Sequence, residues 1–316
     1  MTKTTKLSSA DVTAQIQQEL TDKIVEALEA GTRPWVKGWA SQGGLALRAC
    51  GEAYRGINQF LLGLQAGALG YTSPFWLTYK QAQADGLQVR KGEKSTVVVF
   101  HAPLIVKDDK APEGIKKLFL LKTYRVFNLS QLDLGEGTES IPAKYQRNAL
   151  VVVDTKARDL EAEGALRSSG IRIVEKGAQA FYSPLTDMVT MPRFEDFQTT
   201  GGFLATLAHE LVHATGHQDR LARDGIVKFD RFGSEQYAFE ELIAELGAAM
   251  VCGMLGVAGE HIDNHAAYVG SWLKKLKGDR KAIFQAATKA GAAATWVLQN
   301  HVAGELEEHE EERLAA

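Results

Sequence analysis

The residues with the clearest chemical potential are His209, Glu210 and His213, which form the pattern His-Glu-x-x-His. Residues four positions apart lie on one face of an α-helix, so both imidazoles can reach a single metal ion. Glu210 lies one position along, where its carboxylate can hold a water molecule and remove a proton from it. The spacing therefore predicts a metal-dependent hydrolase with Glu210 as catalytic base. The alternative is a buried helix with two structural histidines.

A hydrolytic zinc site needs a third protein ligand, and the segment QYAFEELIAELGAAM supplies three carboxylates. Carboxylates in an apolar helix are costly unless they are paired or bind metal. Glu241 and Glu245 share a helix face, so we expect Glu241 to bind the metal and Glu245 to accept a hydrogen bond from a ligand histidine. Glu240 points to another side, where we expect it to face solvent. It is the main rival of Glu241 as ligand.

Two further features belong to the same region. His217 follows His213 by four positions, but Gly216 is expected to end the helix. We therefore expect His217 to support the site from beside the ligands rather than to bind the metal. The strand 188–191 is expected to form a sheet edge next to the helix, where a substrate backbone could pair with it.

Helices dominate the half of the chain that must position these residues. Apolar periodicity predicts helices over 157–170, 200–215, 237–255, 262–277 and 280–301, with strands in 171–177 and 179–192. The first half is mixed, with helices predicted over 12–28, 57–69 and 78–86 and a hairpin of strands 96–100 and 116–132. We expect an α+β fold: a small α+β domain (1–131), a linker (132–148) and a mostly helical domain (149–316) with a short antiparallel sheet.

Composition excludes several classes of protein. The 316 residues are 45% hydrophobic and 24% charged, which is typical of globular domains and argues against disorder. Cys50 and Cys252 form no disulfide framework, which indicates a reducing compartment. Neither an apolar leader nor a membrane-spanning stretch is visible. We therefore expect a soluble, cytoplasmic protein with no membrane partner.

The charge distribution indicates a polyanionic partner for the first half. Residues 1–130 carry 17 lysines and arginines against 11 acidic residues, whereas residues 131–316 carry 19 against 28. Cations interspersed with aromatic rings are typical of proteins that bind single strands, and the absence of a helix-turn-helix or zinc-finger pattern argues against sequence-specific duplex reading. The candidate contacts are Trp35, Lys37, Trp39, Tyr54, Arg55, Asn58, Trp76, Tyr79, Lys80, Arg90, Lys91 and Lys94. At least one of Trp76 and Tyr79 is expected to be structural instead.

Several segments resemble a known family. PWVKGW, AYRGIN, WLTYKQAQADGLQVRKGEKST and TYRVFNLSQL are similar to the N-terminal domain of ArdC-type antirestriction proteins and TraC-type plasmid primases. HELVHATGHQDRL, YAFEELIAELGAAMVC and YVGSWLKKLKGDRKAIFQAATKA resemble the zincin-like metallopeptidase domain that follows it. The resemblance implies a domain that binds single-stranded DNA joined to a metallopeptidase fold. It also implies a conjugative-plasmid protein that protects incoming DNA from restriction in the bacterial cytoplasm.

The peptidase part also resembles the SprT-like and ImmA/IrrE-like zincins. In the latter, the ligand Glu is followed by x-x-Ala and then Asn or Asp, whereas Glu241-Leu-Ile-Ala ends on Glu245. Two functions stay open: a metalloprotease tethered to DNA, or a DNA-binding protein whose metal domain is a structural or recognition module. Both predict a metal, with Zn²⁺ expected and Mn²⁺ or Co²⁺ as alternatives. The protease also implies a protein substrate or a component of the restriction system as partner.

Overall fold

The computed structural model describes residues 9–31, 44–107, 115–146, 157–228, 234–257 and 266–315. Three of the predicted DNA contacts, Trp35, Lys37 and Trp39, lie outside the described residues. Within the described part of the chain, none of the helices is both long and apolar enough to cross a membrane.

The first half of the chain is built on a four-stranded sheet. Its strands are β1 (Leu47–Arg48), β2 (Phe75–Thr78), β4 (Thr96–Lys107) and β5 (Ile115–Asn128), in the order β1-β2-β5-β4. Strand β4 pairs antiparallel with β5 from Thr96 to Lys107, which confirms the predicted hairpin and extends its first strand beyond residue 100. A separate pair joins β3 (Leu87–Val89) to β6 (Leu132–Leu134).

Helix α2 (Ile57–Leu69) lies beside this sheet and ends at Gly70, whose φ of 67° closes the helix in the left-handed region. Two buried amides on its first turn fix it in place. Asn58 donates to the carbonyl oxygen of Val99 and accepts from its N–H, both at 2.8 Å. Gln59 does the same with Ala46, at 3.0 and 2.9 Å. The two bonds to Val99 satisfy a backbone N–H and a carbonyl group of the edge strand β4.

The described residues of this half also form the helices α1 (Ser9–Glu29) and α3 (Tyr79–Ala84) and two 3₁₀ turns, Leu129–Gln131 and Ala143–Tyr145. The segment predicted as a linker is folded over residues 132–146. Tyr145 donates a 2.5 Å hydrogen bond to Asp85, and its ring meets Phe75 edge to face. Helix α1 contacts the second half of the chain, where Thr21 donates to the backbone of Arg280. The domain boundaries stay a prediction.

The second half is mostly helical, as predicted, around a three-stranded sheet. The helices are α4 (Leu160–Arg167), α5 (Thr200–Ala214), α6 (Asp224–Val227), α7 (Glu235–Leu255), α8 (Ala266–Gly278) and α9 (Ala282–Ala315). The strands are β7 (Arg172–Glu175), β8 (Phe181–Ser183) and β9 (Met188–Met191). The α+β prediction is thereby confirmed.

Two details of this sheet differ from expectation. The strand order is β7-β9-β8, and β7 pairs with β9 in parallel, so the sheet is mixed rather than antiparallel. The segment predicted as the edge, β9, is the central strand, and the edge beside α5 is β8. The reason lies in burial: three of the four β9 residues are buried, whereas β8 carries no buried residue.

Helices α5 and α7 approach each other closely in the core. Gly247 on α7 faces Val212 on α5, and a Cβ at position 247 would lie 2.9 Å from both methyl groups of Val212. Glycine is required at this contact because any side chain would push the two helices apart. The close packing brings the polar residues of α5 within reach of those of α7.

The amide of Asn58 provides a test of this fold. Asn58→Ala leaves the buried N–H and C=O of Val99 without partners, so we expect the free energy of unfolding to fall by about 2–4 kcal/mol. Gln65→Ala, at a half-buried position of the same helix, is the control and should change it by less than about 0.5 kcal/mol. Urea denaturation followed by circular dichroism measures both. Equal stability of the two variants would contradict the assigned role of Asn58.

Candidate metal centre

Helix α5 carries the His-Glu-x-x-His residues into the core. Its N-terminus is capped by Thr199, whose hydroxyl accepts a 3.0 Å hydrogen bond from the N–H of Gly202. Apolar side chains surround the helix, and His209, Glu210 and His213 are buried at 2%, 8% and 6% exposure. Polar groups at this depth need compensating partners.

The partner that meets both histidines is Glu241 on α7. The Nε2 atoms of His209 and His213 lie 3.0 Å apart, and the Glu241 carboxylate is 3.5 Å from the first and 3.4 Å from the second. One ligand atom from each residue falls within 4.8 Å of the others. No other group of three such side chains converges in this way in the described ranges. The structure thus brings together the three residues that the sequence predicts as ligands.

Glu240 lies in a different place from the one expected. It is buried at 1% exposure rather than facing solvent, and the guanidinium of Arg223 holds both its carboxylate oxygens, with Nε at 3.0 Å from each. Its Oε1 is also 3.5 Å from Nδ1 of His213. Glu240 therefore faces the far nitrogen of His213 and does not join the converging group. This position favours Glu241 over Glu240, and the identity of the third ligand stays a prediction.

Arg223 is the residue of this site that the sequence analysis missed. It is buried, and besides Glu240 it donates to the hydroxyl of Thr215 and the carbonyl oxygen of Val212, both at 2.6 Å. It therefore ties the loop after α5 to the last turn of that helix and to α7. An available signal was its position shortly after a helix C-terminus, where cations meet unpaired carbonyl groups.

The remaining acidic and histidine candidates differ in their placement. Glu245 is buried one turn beyond Glu241 on the same helix, and its bond to a ligand histidine stays a prediction. His217 lies after the end of α5, and its Nδ1 accepts from the N–H of Asp219 at 3.3 Å. It is not part of the converging group.

Mutual attraction dominates the electrostatics of the centre. Burial alone lowers the pKa of His213, but the negative charge of Glu241 and hydrogen bonds to Glu240 and Glu241 outweigh it and raise that pKa to about 10. Burial raises the pKa of Glu241, yet the charge of His213 and hydrogen bonds from both histidines hold it well below its usual range. Without a metal, a proton on His213 thus balances the buried carboxylates.

Glu210 behaves differently. Burial raises its pKa above the ordinary value, and this effect exceeds the opposing influence of His209, His213 and a hydrogen bond from the backbone of Tyr182. A raised pKa makes this carboxyl group a better proton acceptor than an ordinary glutamate.

A second network fixes the sheet against α5. Arg220 donates to the Asp187 carboxylate and, at 3.1 Å, to the hydroxyl of Tyr182, which itself donates to Asp187 at 2.8 Å. Arg220 also donates to the carbonyl oxygen of Ala214 at the end of α5. Asp187 has a φ of 45°, which a non-glycine residue adopts rarely. The network therefore holds the turn between β8 and β9 next to the helix end.

The structure separates the predicted DNA contacts into two groups. Trp76 has no exposed surface, Tyr54 is 6% exposed, and Asn58 uses its amide on Val99, so none of these three can meet a base. Their assignment as DNA contacts is wrong, because all three side chains are part of the core of this half. At least one of Trp76 and Tyr79 was expected to be structural, and Trp76 is the buried one. The candidates that are exposed are Arg55, Tyr79, Lys80, Arg90, Lys91 and Lys94. Of these, Arg90 is engaged by Glu93 and the carbonyl oxygen of Ser130.

Two protein families cover most of the chain. Residues 160–289 match the zincin-like metallopeptidase family MPTase-PolyVal, and residues 14–127 match the N-terminal domain of the anti-restriction factor ArdC. The class is therefore a zincin-like metallopeptidase fold preceded by an ArdC N-terminal domain.

Known proteins are similar to this chain over most of its length. The ArdC antirestriction protein of plasmid R388 is 41% identical, with 90% of this chain and 97% of that one covered. Its metal-free crystal structure gives a TM-score of 0.75 and its Mn(II)-bound structure 0.72. The protein y4eC of Sinorhizobium fredii is 38% identical over 89% of this chain and 91% of its own. The chain belongs to the ArdC antirestriction family.

Two longer proteins share the same region. Two DNA primases TraC of Escherichia coli are 37% and 34% identical over 88% and 92% of this chain. The chain spans only 19% and 27% of their own lengths. The resemblance to TraC-type primases is thereby confirmed, and it covers about a fifth to a quarter of the length of those proteins.

The ion pair behind His213 yields a stability prediction. Arg223→Ala leaves the Glu240 carboxylate buried without its cation, so we expect the free energy of unfolding to fall by about 3–5 kcal/mol. The control is Lys228→Ala, which removes a pair with Asp224 in which both side chains are largely exposed, and should cost less than about 0.5 kcal/mol. Chemical denaturation of the metal-free protein measures both. A loss below 1 kcal/mol for Arg223→Ala would show that Glu240 does not depend on this cation.

Proposed function

We propose that this chain is a metal-dependent peptidase joined to a unit that binds single-stranded DNA, and that it acts in the cytoplasm to protect incoming DNA from restriction. The observation that carries the peptidase proposal is the convergence of His209, His213 and Glu241, whose ligand atoms lie within 4.8 Å of one another. Glu210 directly follows His209 in the sequence. Two imidazoles and one carboxylate with a neighbouring carboxylate base are the side chains that hydrolytic zinc sites use.

The donor set fits a divalent metal. Two neutral imidazole nitrogens and a carboxylate oxygen suit Zn²⁺ best, and they also accept Mn²⁺ or Co²⁺. A crystal structure of the R388 relative is described as Mn(II)-bound. We propose zinc as the ion of this chain because three protein ligands leave the open position that catalysis needs.

The chemistry supplied by such an ion, when bound, is polarisation of the scissile carbonyl group and activation of a water molecule. The protein side chains provide the rest. Glu210 accepts a proton from the attacking water and returns it to the leaving amine, for which its raised pKa is suited. Glu240, held by Arg223, faces Nδ1 of His213 and keeps Nε2 directed at the site.

An extended peptide is the substrate class that the surroundings favour. Strand β8 is the edge of the mixed sheet and lies against α5. A substrate backbone can add to such an edge as a further strand, which places a peptide bond beside the site. The Arg220 network would keep this edge at a fixed distance from Glu210.

The DNA proposal depends on the first half of the chain. Exposed cations of this half include Arg55, Lys80, Lys91 and Lys94, and residues 1–130 carry an excess of positive charge. Cations meet phosphates independently of sequence. The relatives are described as an antirestriction protein and as DNA primases, and both descriptions are consistent with a role on DNA.

Metal stoichiometry tests the ligand set. After loading with zinc and gel filtration, His209→Ala and Glu241→Gln should retain little metal by mass spectrometry, since each removes one of three protein ligands. Glu235→Gln, an exposed position on the same helix, is the control and should retain one ion per chain. Full occupancy in His209→Ala would eliminate this site.

The pH dependence of zinc binding provides a second test. The pKa of His213 is about 10 without metal, so at neutral pH a metal must displace a proton. Apparent zinc affinity should therefore fall about tenfold for each unit by which pH decreases below that value. Calorimetry in two buffers of different ionisation enthalpy should show proton release at pH 7, and a buffer-independent heat would contradict the proposal.

Glu210→Gln separates the two functions left open by the sequence. It should retain zinc, because Glu210 is not in the converging group, and lose at least about 100-fold in hydrolysis, because the base is removed. Cleavage of denatured proteins and of DNA-bound proteins is measured with and without single-stranded DNA. Cleavage by Glu210→Gln at the wild-type rate would contradict the mechanism. Transfer of unmodified plasmid DNA into a restricting host then shows whether protection needs hydrolysis.

A further inference from the structure

A cluster of rings and cations lies on one face of the N-terminal sheet, and we call it the rim cluster. Its members are Arg48, Tyr54, Phe100, Lys122 and Tyr124. Phe100 and Tyr124 meet edge to face with ring centres 5.3 Å apart, and Phe100 is 6.4 Å from Tyr54. Neither Phe100, Lys122 nor Tyr124 is among the DNA contacts predicted from the sequence.

The rim cluster connects buried side chains of the core to one exposed ring. Tyr54 is buried in a core cluster against which Phe100 packs, whereas Tyr124 is 46% exposed. Phe100 lies opposite Lys122 and Val98 opposite Tyr124, so Lys122 and Tyr124 stand two residues apart on the same sheet face. The exposed ring of Tyr124 therefore packs against Phe100, which itself packs against Tyr54. This packing restricts the side chain before binding, so less conformational entropy is lost when a ligand binds.

Two cations belong to the rim cluster. The guanidinium of Arg48 lies 5.8 Å from the ring centre of Tyr54 and 5.7 Å from that of Phe100, within the range of cation–π attraction. Lys122 is exposed. Glu52 pairs with Arg48 at 3.0 Å and offsets part of its charge, but its own side chain is largely solvated. An exposed ring with one cation two residues along its strand and a second on the rings that it packs against is complementary to a base flanked by phosphates.

We propose that the rim cluster is a stacking site for an unpaired base of single-stranded DNA, with Tyr124 as the ring and Lys122 and Arg48 near the flanking phosphates. This inference rests on the proposed DNA-binding function and assigns it a place. Bases in a duplex already stack on their neighbours, so their faces are closed to Tyr124. The site thus favours single strands, and the buried rings Tyr54 and Trp76 contribute support rather than contact.

Two probes with equal numbers of phosphates test the proposal on the full-length protein: an oligothymidylate and an abasic oligonucleotide. Tyr124→Ala should weaken binding of the oligothymidylate roughly 5- to 150-fold and leave binding of the abasic probe within about twofold. Tyr124→Phe keeps the ring and should bind as the wild type does. Leu69→Ala, which removes an exposed apolar side chain of the same unit, is the control and should bind both probes unchanged.

The charged member has a separate signature. Lys122→Gln should reduce the slope of log affinity against log salt by about 0.7 and affect both probes equally. Fluorescence anisotropy at several salt concentrations measures all variants. If the wild type binds the oligothymidylate and Tyr124→Ala binds it equally well, or loses both probes equally, the stacking site is wrong while DNA binding stands. If the wild type binds neither probe, the proposed DNA function fails together with it.

Discussion

The structure depends on the burial of charge between helices α5 and α7. His209, Glu210, His213, Glu240 and Glu241 are all buried in a mostly apolar core. Isolated charges at that depth would destabilise the fold by several kcal/mol each. The two histidines of α5 and the two carboxylates of α7 compensate each other. The two helices must therefore pack closely enough for these polar side chains to pair.

This requirement explains features that are otherwise unrelated. Gly247 allows the two helices to approach closely enough for the side chains to meet. Arg223 supplies the cation that the second carboxylate of α7 needs, and it fixes the loop that follows α5. A divalent ion in place of the proton on His213 would also offset the negative charge of the buried carboxylates, so the side chains that stabilise this core are also a donor set that suits a metal ion.

The sequence predicted the residues of the centre better than their surroundings. Helix geometry alone indicates that His209 and His213 share a face. Which of Glu240 and Glu241 faces them depends on how α7 is oriented about its own axis, and the sequence does not give this orientation. Arg223 is remote in sequence from Glu240, and only the folded loop connects them. Trp76 appeared as a stacking ring because composition does not distinguish a core ring from a surface one. Tyr124 was missed because its neighbour Lys122 and its support Phe100 come together only through strand register.

X-ray absorption spectroscopy of the zinc-loaded full-length protein tests the central claim most directly, because it reports the atoms bound to the ion. We expect nitrogen and oxygen neighbours at about 2.0–2.1 Å, supplied by two imidazoles and a carboxylate, and no sulfur. A sulfur shell at about 2.3 Å, or fewer than two imidazoles, would contradict the assignment of His209, His213 and Glu241 as the metal ligands.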